Sequence, residues 1–205
     1  MTIVYRLGNK LYLNITNACP CSCVFCLRGT QQGVGDAESL WLEREPSIDE
    51  IKKALDTSYS FDDIDEIVFC GYGEPMERAD DVIEICRYIK SDIFAQKNKP
   101  ALPVRINTNG LVLLMHPGFD VSRLADVDTV SISLNADDDA EYLRVARPRF
   151  GAGSFDALLT FAREARAYTS VVFSVVEGTM SRERMENCRR IASEMGVVFR
   201  VRAME

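Results

Sequence analysis

Short runs of Val, Ile, Leu and Phe recur along this chain with helix-patterned stretches between them, and that alternation confines the fold more than any other feature. It predicts strands over 10–16, 66–70, 104–107, 129–134, 170–176 and 197–201. Helices are predicted over 47–57, 80–90, 138–145, 154–168 and 181–195, with a short helical crossover at 120–125. Ser47 and Glu50 have the form of a capping box at the start of the first helix, and Gly196 fits the end of the last. Strands joined by helical crossovers pair parallel, because a tight turn joins only antiparallel neighbours. The expected fold class is therefore α/β, a partial (βα)6 TIM-like barrel with parallel strands. A flat doubly wound sheet is the rival. No repeat, low-complexity tract or linker divides the sequence, so a single domain over 1–205 is expected.

Buried parallel strands are usually apolar on both faces. Here several alternate. Tyr12, Asn14 and Thr16 oppose Leu11, Leu13 and Ile15; Arg105, Asn107 and Asn109 oppose Val104 and Ile106. Ser131, Ser133 and Asn135 oppose Val130, Ile132 and Leu134, and Arg200 and Arg202 oppose Phe199 and Val201. Side chains alternate across a strand, so the apolar set can meet helices while the polar set lines an interior. Edge strands with one wet face are the alternative.

Four of the seven cysteines crowd into positions 19–26, directly after the first predicted strand. A secreted disulfide framework spreads its cysteines; crowding points to a metal or cluster in a reducing compartment. Cys19, Cys23 and Cys26 form C-x3-C-x2-C. Thiolates are the usual ligands of iron–sulfur clusters, and three of them leave one iron of a 4Fe–4S cluster open for chemistry. Cys21, on an extended loop, points away from its neighbours and is expected to be a bystander. A zinc knuckle using all four cysteines is the alternative, although zinc sites usually take two separated pairs. Cys70, Cys86 and Cys188 are expected to be small buried hydrophobes.

Gly71-Tyr72-Gly73-Glu74-Pro75 follows the second strand. Its glycines permit close backbone approach to a ligand, and Glu74 supplies an acceptor and a negative charge. Asn107-Thr108-Asn109-Gly110 ends the third strand and reads equally as a turn. The loop 29–46 is long enough to fold over whatever the cysteines hold. His116 is expected to be exposed, and Arg144, Arg147 and Arg149 to form a solvated face. The net charge of −7 and pI near 4.9 give no strong nucleic-acid signal. No apolar run is long enough to cross a bilayer, and the N-terminus lacks a signal-peptide core, so a cytoplasmic location is expected.

In order and spacing these segments resemble the radical SAM superfamily: the cysteine triad with Phe25 before its last member, Gly71–Pro75, Asn107–Gly110, Ser133-Leu134-Asn135-Ala136 and Val175-Val176-Glu177-Gly178. The resemblance implies a 4Fe–4S cluster on Cys19, Cys23 and Cys26. It implies S-adenosylmethionine held by Gly71, Gly73 and Glu74 at its methionyl amino group, with Asn107, Asn109, Ser133, Asn135 and Val176 completing the cofactor wall. Ser133 and Asn135 fall to the ribose, and Val176 to the adenosine. The implied reaction is reductive cleavage to methionine and a 5′-deoxyadenosyl radical that takes hydrogen from a substrate. The implied partner is an electron donor such as a flavodoxin or ferredoxin. A member that only binds cluster and cofactor is a further alternative.

A narrower resemblance, carried by 5–16, Phe69–Pro75, Arg105–Gly110 and Ser131–Ala136, is to the TatD-nuclease-associated radical SAM proteins, and it implies association with a TatD-family nuclease. The sequence stops soon after the sixth predicted strand, so one side of the barrel is expected to stay open. With Arg105, Arg200 and Arg202 on the lumen face, a bulky or partner-delivered anionic substrate is expected. A small metabolite, with dimerisation or the 29–46 loop closing the site, is the alternative.

Overall fold

The structure, a computed structural model, describes residues 1–29, 33–97 and 102–203. These form two compact units: Met1–Cys19, Leu27–Asn107 and Arg123–Asp128 in the first, and Pro20–Cys26, Thr108–Ser122 and the residues from Thr129 onward in the second.

In the first unit, β1 (Val4–Leu7) and β2 (Lys10–Leu13) form an antiparallel hairpin, and β2, β3 (Glu66–Phe69) and β4 (Val104–Thr108, its last residue counted with the second unit) run parallel. Helices α1 (Ile48–Ser58), α2 (Ala79–Ile89) and α3 (Asp92–Lys97) belong to the same unit. Leu11, Leu13, Ile67, Phe69, Val104 and Ile106 are fully buried, as are Ile51 and Leu55 of α1 and Val82, Ile83 and Cys86 of α2. The expected capping box is present. Ser47 Oγ accepts the Glu50 N–H at 3.3 Å, and Glu50 Oε2 accepts the Ser47 N–H at 2.8 Å.

The polar face of these strands is buried but internally neutralised. Arg105 donates to both oxygens of Glu66, at 3.1 and 3.0 Å, and to Asn107 Oδ1 at 3.1 Å, while Lys10 reaches Glu66 at 2.7 Å. Burial pushes the Glu66 carboxyl up, yet Lys10 and Arg105 together hold it below the ordinary carboxylate value. Arg105 is thus already paired, which removes it from the anion-binding role expected of it.

In the second unit, β5 (Thr129–Ser133), β6 (Ser170–Val176) and β7 (Val198–Arg202) are parallel. Its helices are α4 (Val112–Met115), α5 (Asp139–Ala146), α6 (Ser154–Ala165) and α7 (Arg182–Glu194). Val130, Ile132, Phe173 and Val175 are buried with Leu158, Phe161 and Ala162 of α6 and Cys188 of α7. Among the described residues β7 pairs only with β6; Val198 is 64% exposed and Arg200 is exposed. The lumen expectation fails on this strand, which is a wet edge. Arg202 instead donates to Ser133 Oγ at 3.4 Å.

The fold is α/β with seven mostly parallel strands, one more than expected, and the described pairings close no barrel. The added strand is β1. Gly8-Asn9 joins it to β2 with Gly8 at φ +61°, a two-residue hairpin signal that was legible in the sequence. No described helix is long and apolar enough to cross a membrane. The long loop carries no helix or strand over 33–46; its residues 30–32 lie outside the described ones. Asn14 Nδ2 donates to the Leu40 carbonyl at 2.8 Å and Asn17 Nδ2 to that of Leu42 at 2.7 Å, which holds the loop along the end of β2.

Candidate active site

In the first unit the extension of β2 and the turn after β3 are packed backbone to backbone. Cys70 N–H donates to the Leu13 carbonyl at 3.0 Å and Glu74 N–H to that of Ala18 at 2.8 Å, one residue before Cys19. A Cβ on Gly73 would lie 2.2 Å from the Thr16 carbonyl oxygen, and one on Gly71 would lie 2.1 Å from Asn14 Oδ1. The extension of β2 by itself requires glycine at both positions, a cause independent of any ligand. Glu74 is 4% exposed, and its Oε1 accepts the Met76 N–H at 3.0 Å, capping the 3-10 turn Pro75–Arg78. Arg78 then donates from Nη1 to the Ile15 and Pro46 carbonyls, each at 2.8 Å, and from Nε to Asp81 at 2.7 Å. It ties the end of β2, the end of the long loop and the start of α2 to the Glu74 turn. Sequence reasoning missed Arg78, because no local pattern marks a contact 63 residues away.

The second unit holds the rest of the cysteine loop. Ser22 N–H donates to the Ala146 and Arg147 carbonyls at 3.1 and 3.3 Å, Val24 N–H to that of Val145 at 2.9 Å, and Arg149 N–H to that of Pro20 at 2.8 Å. Cys21 forms a β-bridge with Pro148 and is 2% exposed, whereas Cys23 and Cys26 are half-buried. Cys19, in the first unit, is half-buried as well. All seven cysteines are free of disulfides. Cys86 and Cys188 are fully buried, and burial pushes the Cys188 thiol up to about 12; Cys70 is only half-buried, contrary to expectation.

The remaining sequence candidates divide by what their side chains already do. Asn107 Oδ1 serves Arg105, and Asn109 Oδ1 accepts the Leu111 N–H at 2.9 Å, shaping the turn into α4. Ser133 accepts from Arg202, and Val176 ends β6, its carbonyl accepting from Thr179 Oγ1 at 2.7 Å. Asn135 stands apart. It is 6% exposed, has φ +54°, and its buried Oδ1 has no hydrogen-bond partner. Non-glycine residues seldom adopt this conformation, and a buried amide oxygen without a donor costs free energy.

No three His, Cys, Asp or Glu side chains among the described residues stand in a metal-holding arrangement. By its chemistry the donor set nevertheless fits a thiolate-held cluster and a cofactor with an ammonium and hydroxyls: three half-buried thiols, a buried carboxylate and an orphaned amide oxygen.

The fold and these residues define a class: an α/β protein whose chemistry-bearing side chains follow the C-terminal ends of its parallel strands. The family model of the Radical SAM superfamily matches residues 13–194, and the chain belongs to that superfamily. Comparison with curated proteins finds no match. Among solved structures, a radical SAM methyltransferase from Sphaerobacter thermophilus is similar with TM-score 0.59 and 19% identity, over 98% of this chain and 57% of that one. Streptococcus suis SuiB bound to precursor peptide SuiA is similar with TM-score 0.67 and 17% identity, over 98% of this chain and 40% of that one. SuiB bound to S-adenosylmethionine matches with TM-score 0.64 and 17% identity, over 95% of this chain and 38% of that one. The chain thus spans about half or less of the length of these structures, and the likeness is one of fold.

Proposed function

We propose that this chain is the core domain, over 1–205, of a radical SAM enzyme, arranged as a partial (βα)6 TIM-like barrel. Cys19, Cys23 and Cys26 would hold a 4Fe–4S cluster, which when bound supplies the electron that cleaves S-adenosylmethionine to methionine and a hydrogen-abstracting 5′-deoxyadenosyl radical. The observation that carries the reading is the joint between Glu74 and Ala18, which locks a buried carboxylate to the base of the cysteine loop. That carboxylate, 4% exposed, would meet the methionyl ammonium as a charge-assisted hydrogen-bond acceptor. Asn135 Oδ1 would accept a ribose hydroxyl. Gly71, Gly73, Ser133 and Val176 would form the wall, supported by Asn107 and Asn109 through their own contacts. Burial of Cys21 supports three thiolate ligands over a four-cysteine zinc site.

An electron donor such as a flavodoxin or ferredoxin, a cytoplasmic setting and association with a TatD-family nuclease complete the proposal. The last follows the motif resemblance of Phe69–Pro75 and Ser131–Ala136 and is tested by co-purification. Peptides enter the substrate screen first, because the neighbour SuiB was solved with its precursor peptide. The decisive experiment is anaerobic reconstitution followed by reduction with S-adenosylmethionine present. About four iron and four sulfide per chain, together with 5′-deoxyadenosine, support the reading. Zinc in place of iron, or a loaded protein that forms no 5′-deoxyadenosine, overturns it.

A further inference from the structure

The contacts of α5 reach beyond its expected place as one more crossover helix. Its C-terminal end meets the cysteine loop. The carbonyls of Val145, Ala146 and Arg147 receive the N–H groups of Val24 and Ser22, Arg149 N–H returns to Pro20, and Cys21 is buried at its bridge with Pro148. Arg147, the residue after the helix, has φ +48° and an exposed side chain. That conformation is rare for any residue with a Cβ and persists where surrounding contacts impose it. Here it turns the chain so that the Arg147 carbonyl faces Ser22 and Pro148 faces Cys21.

The N-terminal end of α5 is fixed by a different cluster. Asp138 caps the helix by accepting the Glu141 N–H at 2.7 Å. Arg184 of α7 pairs with Asp137 and, at 3.0 Å, with Asp138; Asn187 Nδ2 donates to Asp137 at 2.8 Å. The Asp137 side chain is 7% exposed, whereas those of Arg184 and Asp138 are 35% and 52% exposed, so the clamp has a buried end at Asp137 and a solvent-facing one at Asp138. Two residues before Asp137 stands Asn135, with its left-handed backbone and orphaned Oδ1.

We propose that α5 is the positioning element of the site, with Arg147 setting the cysteine loop through its backbone and Arg184 setting Asn135 through the Asp137 clamp. The helix has 8 residues, about 12 Å at 1.5 Å per residue, and acts as a rigid spacer between the two ends. The inference rests on the radical SAM reading for what the two ends hold. The placement of the loop can be read without cluster or cofactor.

The first test is differential alkylation of the metal-free chain, read cysteine by cysteine. Arg147→Gly and Arg147→Val both delete the guanidinium, but only glycine accepts the left-handed backbone without strain. Arg147→Gly is expected to keep Cys21 as protected as in the unaltered chain and to retain iron after reconstitution. Arg147→Val is expected to raise Cys21 alkylation at least tenfold and to lose iron. Identical behaviour of the two variants overturns the backbone role. The second test is calorimetric S-adenosylmethionine binding to reconstituted protein. Arg184→Ala is expected to weaken binding about tenfold with iron content and circular dichroism unchanged, and Arg184→Lys to recover part of the loss. Unaltered protein that binds while Arg184→Ala binds equally well overturns the clamp alone. Unaltered protein that takes up neither iron nor S-adenosylmethionine overturns the functional reading and this inference with it.

Discussion

A methyl group at position 73 would sit 2.2 Å from the Thr16 carbonyl oxygen and 2.8 Å from that of Ala18. Both are backbone atoms on the path to Cys19, so neither can rotate away. Gly73→Ala must therefore part the Glu74 turn from the base of the cysteine loop. Overpacking of this kind costs about 1–3 kcal/mol, which urea unfolding will measure, and the reconstituted variant should hold less iron. Gly29→Ala, where no described residue lies within 4 Å of the added Cβ, is the control and should match the parent in iron content. The spacing of Gly71 and Gly73 marks a place of close backbone approach, and the extension of β2 is one segment that makes it. Local spacing reveals that a glycine is present, not which distant segment will press on it. The orphaned oxygen of Asn135 was legible only as a short amide at a strand end, because whether a side-chain atom finds a donor depends on distant segments and not on local spacing.

Elements whose determinants lie within one turn were the most legible. The capping box of α1 is such a case, since Ser47 and Glu50 are three residues apart. Ser47→Ala should cost about 1 kcal/mol in urea unfolding, as N-cap losses do. Glu50 also accepts from Arg44, and that hydrogen bond, then the one from the Ser47 backbone, lowers its carboxyl to about 2. The folded value is depressed, so the contribution is present above the unfolded value near 4.5 and is lost as pH falls through about 2. Glu50→Gln should therefore differ from the parent at neutral pH and converge with it near pH 2. A constant difference across that range, followed by denaturant unfolding, would refute the assignment. The edge character of β7 was not legible, because alternating Val and Arg looks the same beside a lumen as beside water. The platform at Val145–Arg149 was hidden for a related reason: its contacts with Pro20–Val24 are backbone to backbone and leave no trace in residue type.

At the scale of the whole molecule, alternation of strand and helix was enough to give α/β, and the cysteine loop and Gly71–Pro75 were enough to give the superfamily that matches residues 13–194. A ligand that binds the native chain and not the unfolded one must raise the stability of everything that unfolds with its site. At a concentration 100-fold above its dissociation constant the gain is about 2.7 kcal/mol. For a chain of this length each kcal/mol moves the midpoint by about 2–4 °C, so S-adenosylmethionine should raise the anaerobic melting temperature of cluster-loaded protein by about 5–11 °C. Glu74→Ala removes a charge-assisted hydrogen bond worth roughly 1.5–3 kcal/mol, which weakens binding about ten- to a hundredfold. At the same cofactor concentration the gain then falls to about 1.4 kcal/mol or 0.4 kcal/mol, a rise of about 1–6 °C. Differential scanning calorimetry with and without S-adenosylmethionine reads both numbers on the same preparations. A Glu74→Ala chain that retains its iron and still shows the parent's full rise would place the methionyl ammonium elsewhere. A smaller rise with iron retained would tie the buried carboxylate to the cofactor.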